Sequence, residues 1–249
     1  MDLGLTDKVA LVTGSSRGIG REIAVALAAE GCKVIINGRN QDFLTKVAAQ
    51  LGVSAIAGDV SNRKTASVLV DQAAAIHGRL DVLVCNVGSG ASVPPGSEDE
   101  REWAHMFDVN LFSTTNTVEA ARPHLRESLG TVLCISSICG CAALGAPIAY
   151  SAAKAALNSF VAGAARYLAK ENIRINALAP GNILFEGSTW ERKLEVDPDG
   201  VAFMLAREVA LGRLGTSQEV AAMAAFLCSD KASFATGGIY VLDGGQLRA

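Results

Sequence analysis

Short, wholly apolar runs alternate with helix-length segments along almost the entire chain, and that alternation leaves few folds open. KVALVT (8–13), KVIIN (33–37), SAIAG (54–58), VLVCN (82–86), TVLCIS (131–136), RINALA (174–179) and IYVLD (239–243) read as strands. Their apolar residues are continuous rather than alternating, the mark of strands buried on both faces. Between them, helical patterns run over 18–30, 42–51, 61–77, 99–126, 149–170 and 217–228, with Ser61 as an N-cap and Gly31 and Gly78 as terminators. Strands of this kind spaced by helices imply a parallel sheet joined by right-handed crossovers, with helices on both faces. The expected class is α/β, doubly wound, with seven strands.

A chain of 249 residues can bury about 70–75% of its unfolded surface as one domain. No Pro/Ser/Gly-rich linker, repeat or low-complexity tract divides it, so residues 1–249 are expected to form one domain. The one long interruption, 182–212, is rich in Trp, Phe, Met and charge and reads as an insertion covering a ligand. A net charge of −3 without a Lys/Arg run argues against a nucleic-acid groove or an electrostatically held membrane surface. No apolar run approaches ~18 residues, and the N-terminus lacks a signal pattern; the expectation is a soluble cytoplasmic protein. The six cysteines show no ligand spacing and are expected to be buried reduced thiols. The three histidines are scattered, and no metal site is expected.

Thr13-Gly14-Ser15-Ser16-Arg17-Gly18-Ile19-Gly20 lies where the first strand gives way to the first helix. At that junction glycines permit a tight turn and close backbone approach, while the helix N-terminus offers free N–H groups to a pyrophosphate. The segment is therefore read as the phosphate loop of a Rossmann-type dinucleotide site. An acidic residue at the end of the second strand would bind the ribose 2′-hydroxyl of NAD; here the strand ends Asn37-Gly38-Arg39, and Arg17 adds a second cation. NADP(H) is expected in preference to NAD(H).

Tyr150 and Lys154 stand four apart in AYSAAKAALNSF, thirteen residues after Ser137. About 0.1 such Tyr/Lys pairs are expected by chance in a chain with three Tyr and eight Lys, so the pair needs its context. Residues i and i+4 share a helix face. A charge ~4 Å away at an effective dielectric of ~20 stabilises phenolate by ~4 kcal/mol, or ~3 pKa units, which would bring the phenol toward working pH as a general acid/base.

The glycine loop, Asp59-Val60, Asn86, Asn110, Ser137, Tyr150, Lys154 and Pro180-Gly181 occur in an order that resembles the short-chain dehydrogenase/reductase family over almost the whole chain. The resemblance implies that Asp59 and Val60 contact adenine, that Asn86 lies beside the adenosine ribose, and that Pro180, Gly181 and Ile183 flank the nicotinamide. Gly88 keeps the glycine of the family's NNAG motif, here Cys85-Asn86-Val87-Gly88. It further implies that Tyr150 protonates the substrate carbonyl oxygen as hydride arrives, that Ser137 orients that oxygen, that Lys154 also holds the nicotinamide ribose, and that Asn110 holds a water linking Lys154 to solvent. Relatives are commonly tetramers, so a homotetramer is expected.

Two departures bear on substrate. The Thr of the family's PGxIxT motif is replaced by Phe185. The chain resembles 3-oxoacyl-acyl-carrier-protein reductases, but that branch often carries basic residues where Thr131 and Glu171 stand here, which weakens an acyl-carrier substrate. Phe185, Trp190, Leu194, Phe203 and Met204, beside charged neighbours, fit an amphipathic or sugar-like carbonyl or alcohol. The resulting expectation is an NADP(H)-dependent carbonyl reductase; the alternatives are a silent dinucleotide sensor or scaffold of the same fold, and an acyl-carrier reductase.

Overall fold

The computed structural model describes residues 1–248. In chain order the elements are β1 (Val9–Val12), α1 (Gly18–Ala29), β2 (Lys33–Gly38), α2 (Gln41–Leu51), β3 (Ser54–Ala57), α3 (Arg63–His77), β4 (Val82–Cys85), α4 (Glu100–Phe107), α5 (Ser113–Ser128), β5 (Thr131–Ile135) and α6 (Ile148–Leu168). There follow β6 (Arg174–Pro180), β7 (Ile183–Leu184), α7 (Thr189–Val196), α8 (Pro198–Glu208), β8 (Gly215–Thr216), α9 (Ser217–Cys228) and β9 (Ile239–Leu242). Seven strands form one parallel sheet in the order β3-β2-β1-β4-β5-β6-β9. Helices cover both faces, in the Rossmann-type arrangement.

Because neighbouring side chains on a strand point to opposite faces, each strand feeds two cores. Leu11, Ile35, Leu83 and Cys134 pack with Leu69, Leu125 and Leu157 from α3, α5 and α6. Val12, Ile36, Val84 and Leu133 pack with Ile23, Leu44 and Val220 from α1, α2 and α9. Each fully buried aliphatic side chain contributes about 1.5–3 kcal/mol relative to exposure, which explains why the strands read as continuous apolar runs.

Several local expectations are corrected. Asn62, not Ser61, caps α3, accepting from the Lys64 and Thr65 amides. The single helix read over 99–126 is two helices joined by a π-helical turn, Asp108–Phe112, with Asn110 buried inside it. The insertion carries two short helices, and β7 and β8 pair as a separate two-stranded sheet. Cys32, Cys85, Cys134 and Cys228 are buried, but Cys139 is only partly so and Cys141 is exposed, because both lie in the turn after β5 rather than in the strand.

Candidate active site

The sheet order reverses between β1 and β4, and a cleft of about 750 Å³ opens beyond the strand ends there, the usual ligand position in an open α/β sheet. Its floor begins with the glycine loop. Asn86, at the end of β4, donates its side-chain amide to the carbonyls of Thr13 (3.2 Å) and Gly14 (2.9 Å), while its own N–H reaches Thr13 Oγ1 at 3.0 Å. Gly20 faces this amide so closely that a Cβ would come within 2.3 Å of Asn86 Nδ2. It is therefore buried behind the loop, whereas Gly14, Ser16, Arg17, Gly18 and Ile19 line the cleft. Gly14 and Gly18 adopt φ of +61° and +58°, the left-handed region that suits glycine.

The helices α2, α3 and α9 begin with a side-chain cap, but α1, with Arg17 at its N-cap, has none. Gly18 and Ile19 of its first turn line the cleft, and a helix start with unsatisfied N–H groups beside a glycine cradle fits a dinucleotide pyrophosphate. The Asn86 carboxamide is itself committed to holding the loop.

At the other end of the floor lie Gly38, Arg39, Asp59 and Val60. A Cβ on Gly38 would meet Ser16 Oγ at 3.3 Å, so the missing side chain lets the two loops close up. Asp59 accepts from the Ser61 amide (3.0 Å) and hydroxyl (2.7 Å). Burial works to raise its carboxyl, but these two bonds and the charge of Arg39 overcome that and hold it below its usual value. Arg17 and Arg39 are exposed, and neither enters a salt bridge among the described residues. Asn37 was not singled out from the sequence, yet it ties this corner together. Its amide donates to Ile56 O (3.0 Å) and Gly58 O (3.1 Å), and its carbonyl oxygen accepts from Gly14 N at 3.4 Å. An Asn at the end of an otherwise apolar strand was the available signal.

Tyr150 and Lys154 project from the first turns of α6 toward the same cleft. Lys154 is buried, donates to the Ile135 carbonyl at 2.9 Å, and has its Nζ 6.0 Å from the centre of the Tyr150 ring. Burial pulls the lysine down from 10.5 to about 8, with the Cys134 and Cys139 sulfurs opposing. Burial also pushes Tyr150 up to about 12, against a downward pull from the Ser137 hydroxyl. The expectation that Lys154 lowers the phenol by several units is not met: desolvation is the largest influence on each group, and the lysine leaves no resolved mark on Tyr150.

Ser137 caps the short 3-10 turn Ile138–Gly140, its Oγ accepting from Cys139 N at 3.2 Å, while its hydroxyl proton is turned toward the Tyr150 phenol. The turn packs so tightly on α6 that a Cβ on Gly140 would fall 2.6 Å from the Lys154 backbone carbon. Asn158, also unforeseen, stitches the two, accepting from Ser136 Oγ (2.6 Å) and donating to Gly140 O (3.1 Å). Asn110 exchanges two hydrogen bonds with the Ser89 backbone, both 3.0 Å. Gly88 lies between it and the lysine, for a Cβ there would be 3.0 Å from both Asn110 Oδ1 and Lys154 Nζ.

Pro180 and Gly181 end β6 and stand behind the cleft, Gly181 packed against Asp243, and Ile183 is buried in the core formed with α1 and α9. Phe185, which replaces the expected Thr, packs over the glycine loop; a Cβ on Gly18 would come within 2.7 Å of its ring. Ser188 and Thr189, at the start of α7, also line the cleft, but the Ser188 hydroxyl caps α7, accepting from Glu191 N at 3.0 Å, and Thr189 Oγ1 accepts from Arg192 at 3.2 Å. Of the insertion only 185–192 reaches the cleft. Phe203 is largely exposed, Trp190 stacks under Lys193 (4.4 Å), and Met204 Sδ meets Asn182 Nδ2 at 3.9 Å, so these do not cover the site. His105 of α4, with Ser89 and Gly90, forms a wall that the sequence did not point to.

A family profile described as Enoyl-(Acyl carrier protein) reductase matches residues 14–246. A tropinone reductase homolog of Arabidopsis thaliana is 36% identical over 97% of this chain and 92% of its own length. A 3-oxoacyl-[acyl-carrier-protein] reductase of Chlamydia muridarum is 35% identical over 97% of this chain and 98% of that one. Among solved structures, L-sorbose reductase from Gluconobacter frateurii, complexed with NADPH and L-sorbose, superimposes with a TM-score of 0.93 at 29% identity, each chain covered completely. Matched by a family profile and by relatives over almost its whole length, the chain is an oxidoreductase that belongs to the short-chain dehydrogenase/reductase family.

Proposed function

We propose that the protein, acting as one catalytic domain, interconverts a polar carbonyl compound and its secondary alcohol with NADP(H), Tyr150 serving as proton donor. The observation that carries this reading is the convergence of Tyr150, Lys154 and the cleft that also holds Arg17 and Arg39. Arg17 and Arg39, without ion-pair partners among the described residues, are matched to a 2′-phosphate, and no carboxylate stands at the end of β2 to favour NAD. Gly14, Ser16, Gly18, Ile19 and the α1 N-terminus would hold the pyrophosphate, with Gly20 and Asn86 shaping the loop. Asp59 and Val60 would meet adenine, and Gly88, Pro180, Gly181 and Ile183 would shape the nicotinamide end. The bound coenzyme supplies or accepts the hydride equivalent.

The rest follows from the side chains. A phenol near 12 keeps its proton at neutral pH, so Tyr150 is loaded to protonate a carbonyl oxygen. The phenolate left behind faces the Lys154 ammonium, and the Ser137 hydroxyl, beside the phenol, would turn its proton to a substrate oxygen placed between them. Lys154, near 8, is the stronger acid of the two and can return a proton. Asn110 Oδ1 has one lone pair beyond its bond to Ser89 N, enough to hold a water beside Lys154.

Ser89, Ser188, Thr189, His105 and Arg192 give the cleft a polar wall, which favours a hydroxylated substrate such as the sugar of the L-sorbose reductase complex. The acyl-carrier alternative is less disfavoured than the sequence implies: Thr131 is buried in β5 and touches nothing external, while Glu171 is occupied by Arg122. Exposed Phe234, and Val241 on the edge strand β9, fit the homotetramer expected of this family. Among the described residues no helix is long and apolar enough to cross a membrane.

The test is NADPH oxidation against a panel of sugars, diketones and 3-oxoacyl thioesters. Turnover of a ketose supports the polar-substrate reading, turnover confined to thioesters supports the acyl-carrier one, and NADPH binding without turnover on any compound supports a sensor.

A further inference from the structure

The segment between β4 and α4 has no regular structure, yet it is fastened repeatedly to the candidate catalytic residues. Ser89 is held by two hydrogen bonds to Asn110, and Gly90 lies against Tyr150, for a Cβ there would be 3.6 Å from Tyr150 Cζ. Ser92 bonds Glu102 of α4. At the far end, Glu98 Oε1 accepts the backbone N–H of Ile148, the first residue of α6, at 2.9 Å across fifty positions of sequence. Its other oxygen accepts from Gly96 N at 2.7 Å.

The helix α6 needs such a partner. Its N-cap is Pro147, whose side chain caps nothing, and an α-helix begins with four unsatisfied N–H groups and a positive dipole end. Slight desolvation works to raise the Glu98 carboxyl, but N–H groups of Glu98 itself, Ile148, Gly96 and Ala149 overcome it and hold it below its usual value. Tyr150 is the third residue of this helix, so the cap sits one turn from the phenol.

We propose that Glu98 is a positioning residue that clasps the N-terminus of α6 and thereby holds the Ser89–Ala91 wall against Tyr150, setting how a carbonyl is presented to the proton donor. The inference rests on the reading of Tyr150 as that donor, but the clasp is measurable without it. No contact of Glu98 with substrate is implied.

The test compares the full-length wild type with Glu98→Ala and Glu98→Gln. Hydrogen exchange followed by mass spectrometry is expected to speed at least tenfold in both 89–91 and 148–151 of Glu98→Ala, with α9 unchanged. Glu98→Gln retains an acceptor oxygen and is expected to recover at least half of that protection. With L-sorbose or diacetyl as probe, Glu98→Ala should lower kcat/KM for the carbonyl about tenfold while KM for NADPH stays within twofold. Faster exchange confined to 95–98, or uniform through the chain, would overturn the clasp. Equal effects on the carbonyl and NADPH constants would overturn its role in presenting the carbonyl. A clasp present in the exchange data together with an active Tyr150→Phe variant would condemn the donor assignment and leave the clasp standing.

Discussion

The Lys154 ammonium stands 6.0 Å from the centre of the Tyr150 ring and spends a hydrogen bond on the Ile135 carbonyl. The two groups share a helix face, yet burial shifts both away from their charged forms, the tyrosine up to about 12 and the lysine down to about 8. Tyr150 is thereby held in its protonated form at neutral pH, and Lys154 is the more acidic of the two groups.

Tyr150→Phe removes the phenolic proton and little else. Turnover of any carbonyl accepted by the wild type is expected to fall about 10²–10⁴-fold, while NADPH affinity, read by fluorescence titration, stays within about twofold. Comparable turnover in the variant would sink the assignment.

Lys154→Met tests the buried charge through stability. A lysine whose folded pKa lies below its unfolded one binds fewer protons when folded, so wild-type stability is penalised below pH 8 and the penalty fades as pH rises from about 8 toward 10.5. The variant, without dinucleotide, is expected to be more stable by about 1–3 kcal/mol at pH 7, and to lose that advantage by pH 10.5. Urea denaturation at pH 7, 9 and 10.5 measures it; a variant less stable at pH 7 would contradict the burial cost.

Arg39→Asp replaces a cation in the cleft by the charge that suits a free ribose 2′-hydroxyl. Losing a charge-assisted contact worth about 1.5–3 kcal/mol predicts NADPH affinity down by about 10–150-fold, with NADH affinity level or improved. Equal losses for the two coenzymes would count against the 2′-phosphate role.

Asn37→Ala strands the Ile56 and Gly58 carbonyls and frees the Gly14 amide. A loss of about 1–3 kcal/mol in stability is expected, visible as a lowered Tm, together with weaker binding of both coenzymes. An unchanged Tm would show that Asn37 is not the tie between β2, β3 and the phosphate loop.

Local pattern carried much of this protein. Continuous apolar runs imposed a parallel sheet because two faces must be covered, and the spacing of Tyr150 and Lys154 placed both on one side of α6. The glycine loop was legible because strand, turn and helix follow one another within a few residues. The break in the helix read over 99–126 was not, since a π turn built around Asn110 depends on a bond to Ser89 from another segment.

The bonds that shape the site join residues remote in sequence: Asn86 to Gly14 across 72 positions, Glu98 to Ile148 across 50, Asn37 to Gly58 across 21. No periodicity encodes them. The sheet, the glycine loop between β1 and α1 and the family resemblance were all readable along the chain, because they follow from continuous apolar runs and short-range spacing. That burial outranks every other influence on Tyr150 and Lys154 emerged with the packed fold alone, because desolvation exists only once the chain has folded around them.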